Sequence, residues 1–124
     1  MFTGDIKHLT KENNNFRKVI YTGPKSQLVL MSLLPGEEIG SEVHKDSDQL
    51  LFFVKGDEEV EVVMNDVPFW ADEHGVVVVP AGTKHNIINK GAEVLKLFTV
   101  YAPPVHPDGT IHQTKAEAAR EEEE

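Results

Sequence analysis

The 124-residue sequence predicts an all-β, antiparallel fold, a sandwich or a barrel, and three observations predict it. Apolar and β-branched residues fall in short runs, Gly, Pro, Asn or Asp punctuates the gaps between them, and nothing before residue 110 carries a helical period.

The runs follow in order. FRKVIYT (16–22) stops at Gly23-Pro24, and QLVLMSLL (27–34) stops at Pro35-Gly36. QLLFFV (49–54) ends at Lys55-Gly56. EVEVVM (59–64) alternates Glu59, Val60, Glu61, Val62, the period of a strand with one wet face. Asn65-Asp66 suits the left-handed angles of a two-residue hairpin, so 67–70 returns as its partner. VVVV (76–79) runs into Pro80-Ala81-Gly82, and HNIIN (85–89) and VLKLFTVY (94–101) complete the set. In the last run Leu95, Leu97, Thr99 and Tyr101 are expected to face inward, because the other phase would bury Lys96 unpaired. A tail, 102–124, closes the chain; Thr114 with Glu117 forms a capping-box pattern for a short helix whose acidic end, 121–124, faces the unfavourable end of the dipole and should fray. A single domain over 1–124 is expected, with its barrel at about 16–101.

Composition narrows the function. The formal charge is -9, and without the last four glutamates 17 acids still face 12 bases. Phosphate-backbone binding needs a basic surface, so nucleic acid is not an expected partner. The absence of cysteine removes disulfides, thiolate metal sites and thiol nucleophiles, and suits a reducing compartment. No run approaches the roughly 20 apolar residues of a membrane span, and the first residues lack the apolar core of a signal peptide. A cytoplasmic protein with no membrane partner is the expectation.

The segment GEEIGSEVHKDSDQLLFFVKG (36–56) carries the chemistry. In extended chain, residues two apart share a face, so Glu42 and His44 point together. A reversal at residues 45–48 brings Gln49 opposite them, on the face that also carries Leu51 and Phe53. Downstream, PAGTKH (80–85) places His85 at the start of a strand after a glycine turn. One carboxylate, two imidazoles and one amide oxygen form a mixed donor set suited to Fe, Mn, Ni or Zn as divalent ions. A competing pair, His44 with Asp46, has the same two-residue spacing. Phe53, Leu51, Thr99 and Tyr101 are the expected pocket lining. His8 and His74 read as solvent-facing; His106 and His112 read as surface-loop residues, with a tail folded over the barrel mouth as the alternative.

The joint spacing resembles the cupin family. Gly36, five residues, Glu42-x-His44, four residues, Gln49, six residues, Gly56 keeps the frame of the first cupin motif, with Glu42 in place of its first His and Gln49 in place of its Glu. Pro80-x-Gly82-x-x-His85-x3-Asn89 keeps the second, with His74 where its leading glycine is expected and Gly75 following. The match with Glu-x-His, Asp-Gln and the His106-Pro107-Asp108-Gly109-Thr110 tail extends to small one-domain bacterial cupins, some labelled mannose-6-phosphate-isomerase-like. The resemblance implies a jelly-roll double-stranded β-helix, a metal held by Glu42, His44, Gln49 and His85, and a homodimer. It also implies a metal-dependent enzyme on a small organic molecule, of dioxygenase or isomerase type. The alternative is a non-catalytic small-molecule binder, with or without metal. No separate general base and no phosphate-cradling loop stand out.

Overall fold

Period-two apolar patterning and turn chemistry set the strands, and the computed structural model describes them within residues 1–123. The strands β1 (Arg17–Thr22), β2 (Gln27–Leu33), β3 (Asp48–Lys55), β4 (Val60–Met64), β5 (Val67–Ala71), β6 (Val76–Val79), β7 (His85–Asn89) and β8 (Leu95–Ala102) match the runs read from the sequence to within one residue. Asn65 and Asp66 adopt φ of 49° and 68°, which gives the hairpin its twist and pairs β4 with β5 from Met64↔Val67 to Val60↔Ala71. Pairing is antiparallel throughout the described strands. With the two-residue strand β9 (Ile111–His112) it yields a six-stranded sheet, ordered β6-β3-β8-β2-β1-β9, and a three-stranded sheet, β5-β4-β7.

The inner faces of the two sheets meet in one core. Val29, Met31 and Leu33 come from β2, Leu51 and Phe53 from β3, and Leu95 and Leu97 from β8; Val60, Val62 and Ile87 face them from the smaller sheet. Alternation decides burial even where the residue type does not change: in β6, Val77 and Val79 are 8% and 2% exposed, Val76 and Val78 58% and 59%. Gly56 ends β3 without a side chain for a steric reason, since a Cβ there would lie 2.8 Å from Leu95 Cδ1. His74 adopts φ 71°, so the position where the motif expects glycine does demand a left-handed backbone, and a histidine supplies it. As expected, His74 is exposed, with its ring stacked on Phe52.

Asn89 locks the corner after β7. It is 2% exposed; its Nδ2 donates to the Leu33 and Glu93 carbonyls at 3.0 and 2.9 Å, and its Oδ1 accepts from Gly91 N at 3.0 Å. Asn89→Ala strips three partners from buried or half-buried backbone groups. It is expected to cost about 2–3 kcal/mol in urea unfolding; a loss below about 0.5 kcal/mol would mean that the backbone holds the corner unaided.

Two features of the outer face were not expected. The first is α1 (Ile6–Glu12), which corrects the reading that no helix precedes residue 110. Asp5 caps it, accepting from His8 N at 3.1 Å, and the helix packs on the outer face of β8, β3 and β2. Seven residues are too few to show a period, and packing against the sheet supplies what propensity does not. The second surprise follows from the first. Leu95, Leu97, Thr99 and Tyr101 do face inward, yet Lys96 is also buried, at 8% exposure, because the chain after α1 covers it. Its Nζ donates to the Asn13 carbonyl and, at 2.8 Å, to Asn14 Oδ1. Burial and then the nearby Lys55 lower its pKa, partly opposed by Glu12. Lys96→Ala is expected to cost about 2 kcal/mol, the range for hydrogen bonds to a charged group, and to raise hydrogen exchange across residues 5–14. Unchanged exchange there would show that α1 is held by its apolar contacts alone.

The tail also departs from a surface loop. β9 (Ile111–His112) pairs with β1 and extends the larger sheet, and α2 (Lys115–Glu123) returns Ala118 to the core at 2% exposure. The expected cap is present: Glu117 N donates to Thr114 Oγ1 at 3.1 Å, and Glu117 Oε2 accepts from Gln113 N at 3.2 Å. The expected fraying at 121–124 lies in part outside the described residues. No helix among those described is long and apolar enough to cross a membrane.

Candidate metal centre

The backbone brings the two halves of the site together before any side chain does. Residues 36–44 lie antiparallel along the free edge of β7 and its preceding turn. Gly36 N donates to Asn89 O at 2.8 Å, Ile39 N to Ile87 O at 2.9 Å, and Glu42 and His85 exchange both of their N–H···O bonds at 2.9 Å. Gly82, at φ 84°, closes the ribbon by donating to His44 O at 2.9 Å. The spacing of the two motifs is therefore the register of one ribbon: a residue inserted on either side would carry Glu42 or His85 to the wrong face.

Glu42, His44 and His85 converge at this end of the ribbon, with one ligand atom of each within 4.8 Å of the others. His85 is 4% exposed, and its Nδ1 lies 2.9 Å from the Thr83 carbonyl. A carbonyl only accepts, so the proton sits on Nδ1 and Nε2 keeps its lone pair for another partner. His44 packs edge-on against Tyr101, with ring centroids 5.3 Å apart. Its Nε2 approaches Glu42 Oε2 to 2.8 Å, off the line of a hydrogen bond, and that buried nitrogen has no hydrogen-bond partner among the described residues. Burial would raise the Glu42 carboxyl, but His44, and then Arg17, outweigh it and hold the group below the ordinary carboxylate range.

Gln49 lies on the opposite sheet, 2% exposed and, in the β3–β8 register, across from Tyr101, the ring against which His44 packs. Its Nε2 donates to Thr99 Oγ1 at 3.0 Å, while its buried Oε1 has no partner among the described residues. Leu51, Phe53, Thr99 and Tyr101 are each 0% exposed; of these, Tyr101 touches His44 and Thr99 touches Gln49, while Phe53 lies toward the other end of β3, beside Gly75. Asp46 lies exposed on the 45–46 turn, outside the convergent group, so the competing pair with His44 is not formed.

These residues fit a divalent transition ion. Two imidazoles and a carboxylate converge, and of the three buried side-chain atoms without a hydrogen-bond partner among the described residues, two, His44 Nε2 and Gln49 Oε1, are lone-pair donors of the kind such ions take; the third is Arg17 Nε. A surface cavity of about 470 Å³ lies at the other end of β4 and is lined by Asp57, Glu58, Glu59, Asp72, Glu73 and Gly56. It offers carboxylates alone, without a convergent imidazole.

Residues 29–101 match the family model described as the cupin domain. The chain belongs to the cupin family. This cupin is 44% identical to the uncharacterized protein YrkC of Bacillus subtilis over 98% of its own length and 68% of that protein's. It is 41% identical to the uncharacterized protein L612 of Acanthamoeba polyphaga mimivirus, over 90% of this chain and 71% of that one. Among solved structures, BH2720 from Bacillus halodurans is 38% identical with a TM-score of 0.91, covering 96% of this cupin and 93% of that chain. The β-sheets described above are thus the jelly-roll double-stranded β-helix of the family.

The tail adds side chains that were read as surface. His106 Nε2 lies 3.4 Å from Tyr101 OH, and the two rings meet edge-on at 5.2 Å. Burial first, then Arg17, push His106 down to about 4, so the ring is neutral at pH 7. Tyr101 is pushed upward by burial and by Glu42, and keeps its hydroxyl proton. His112 is 4% exposed, sandwiched between Arg17 Nη1 at 3.2 Å and Glu121 Oε2. Arg17 itself is 1% exposed. The phase of β1 carries a signal for it, since Arg17 shares the inner face with Val19; the two histidines follow from the tail's return path, which no local pattern in 102–112 encodes.

Proposed function

We propose that this cupin holds a divalent ion of Fe, Mn, Ni or Zn on Glu42, His44 and His85, with Gln49 Oε1 as a fourth donor. We further propose that it acts as a metal-dependent enzyme on a small organic molecule. The convergence of one carboxylate and two imidazoles, with His44 Nε2 buried and without a hydrogen-bond partner among the described residues, is the observation that carries this reading. Bound there, iron would supply oxygen chemistry of the dioxygenase type, and zinc or manganese Lewis-acid chemistry of the isomerase type.

The chain's own residues have separate tasks. Thr83 fixes the His85 tautomer, and Thr99 turns the Gln49 amide so that its oxygen stays unpaired. Leu51 and Phe53 line the interior and exclude water, which strengthens every polar contact inside it. Tyr101, held protonated, is a neutral donor for a bound molecule.

Elemental analysis of untagged protein tests the proposal. About one equivalent of a transition metal, lost in His44→Ala and retained in Asp46→Ala, is the expected result. Metal-free protein that also refuses each ion on reconstitution would overturn it and leave the non-catalytic binder, which Gln49, an amide where the cupin frame has Glu, favours.

The proposal extends to a homodimer. Val76 and Val78 on the edge strand β6, and Phe69 and Trp70 on the edge strand β5, leave apolar surface for a second copy. Light scattering that returns the mass of a single chain at micromolar concentration would overturn this part alone.

A further inference from the structure

Glu42 stands between the triad and a resident cation. Its Oε2 lies 2.8 Å from His44 Nε2, while its Oε1 lies 4.0 Å from Arg17 Nη2. Arg17 is 1% exposed, and its guanidinium keeps its charge at any working pH. Among the described residues, Glu42 is the carboxylate that comes within 4.0 Å of it.

The tail fixes Arg17 in this place. His112 on β9 stands directly opposite Arg17 on β1, and its Nδ1 lies 3.2 Å from Arg17 Nη1. The other nitrogen of that ring faces the Glu121 carboxylate, an acceptor, so the proton sits on Nε2 and Nδ1 accepts from Arg17. His112 is itself 4% exposed. The guanidinium cannot turn away from Glu42 without giving up this buried bond.

Charge then decides what Arg17 does to the site. His44 and His85 would ligate an ion as neutral imidazoles, so one carboxylate faces one guanidinium and the charges cancel. Without an ion the two balance as a buried pair. With a divalent ion on Glu42 the carboxylate is committed to it, and Arg17 remains beside the same group as a second buried cation. Like charges this close repel strongly where water is excluded.

We propose that Arg17 sets the affinity of the metal centre: it neutralises Glu42 when no ion is bound and opposes the ion that takes its place. The centre therefore holds its ion less tightly than the triad alone would, and exchanges it readily. The inference rests on the metal-centre reading and assigns Arg17 no contact with the ion.

The test is zinc affinity, measured by competition with a chromophoric chelator on full-length wild type, Arg17→Met, Arg17→Gln and Arg17→Lys. Methionine and glutamine both remove the charge, and glutamine keeps a donor for His112; lysine keeps the charge. The two charge-free variants are expected to bind zinc about tenfold or more tighter than wild type, and Arg17→Lys to stay within about threefold of it. A residue that only supports the fold would give the reverse. Weaker or unchanged zinc binding in the charge-free variants overturns the proposal. If neither of them folds, Glu42→Gln decides by urea unfolding in the presence of chelator. It strips Arg17 of its counter-charge, so the ion-free protein should lose stability, and an unchanged midpoint overturns the proposal. The two readings fail differently: zinc bound by wild type with no gain in the variants removes the role of Arg17 alone. Zinc bound by none of the four proteins removes the metal centre, and this inference with it.

Discussion

His85→Ala is expected to lower affinity for a divalent transition ion by about 100-fold or more while the protein stays folded. Outer partners of metal ligands already govern about 10–100-fold in affinity, and His85 is proposed as a ligand itself. Three features make it the most sensitive position. It is the most buried of the triad, its tautomer is set by the Thr83 carbonyl, and its backbone is bonded on both sides to Glu42. Those two main-chain bonds survive the substitution, so the ribbon persists, and the stability cost should stay near 1–2 kcal/mol. His44→Ala should act in the same direction. Metal content after dialysis, read beside circular dichroism, checks both. Full metal retention in the two variants would place the site elsewhere, and a folded-state collapse in either would show the histidines to be structural.

Gln27→Ala is expected to release the tail. Gln27 is 0% exposed and uses its whole amide: Nε2 donates to Thr22 Oγ1 at 3.0 Å and His106 O at 2.7 Å, while Oε1 accepts from Val105 N at 3.1 Å and His106 N at 3.0 Å. Alanine removes all four bonds, about 3–4 kcal/mol at roughly 1 kcal/mol each. Because opening would let water satisfy the freed groups, much of the loss should appear as local opening. Hydrogen exchange should rise across residues 103–113 with the strands of the two sheets unaffected.

Acid should do the same by another route. The folded-state pKa of His106 lies at about 4 against an ordinary 6.5, so the folded tail binds fewer protons than the open one. Its contribution is present in full above pH 6.5 and is lost as pH falls through about 4. Exchange in residues 103–113 that is unchanged by Gln27→Ala, or independent of pH over that window, would show that β9 and α2 hold the tail without Gln27 or His106.

Most strands were legible because their signals are local. Glu59 to Val62 alternate, Asn65-Asp66 turns, and Pro80-Ala81-Gly82 stops a valine run, each within a few residues. The frame Gly36–Glu42–His44 with Gly82–His85–Asn89 was legible for a related reason: its spacing records the register of a single ribbon. Lys96 shows the limit. The rule against burying an unpaired lysine picked the correct inner face of β8, yet it said nothing of a partner more than eighty residues away in sequence. Asn13 and Asn14 supply that partner only because α1 docks on the sheet.

The sequence alone determined the strand set, the inner faces, the family frame and the residues that converge as the triad, since each depends on period, turn chemistry or fixed spacing. Only the tertiary structure decided what surrounds them: α1 over Lys96, the tail's return along β1, and the burial of Arg17 beside Glu42. Those arise from contacts between segments far apart in the chain. Their free energy depends on shared burial and on hydrogen bonds closed across the fold, and no window of sequence contains both partners.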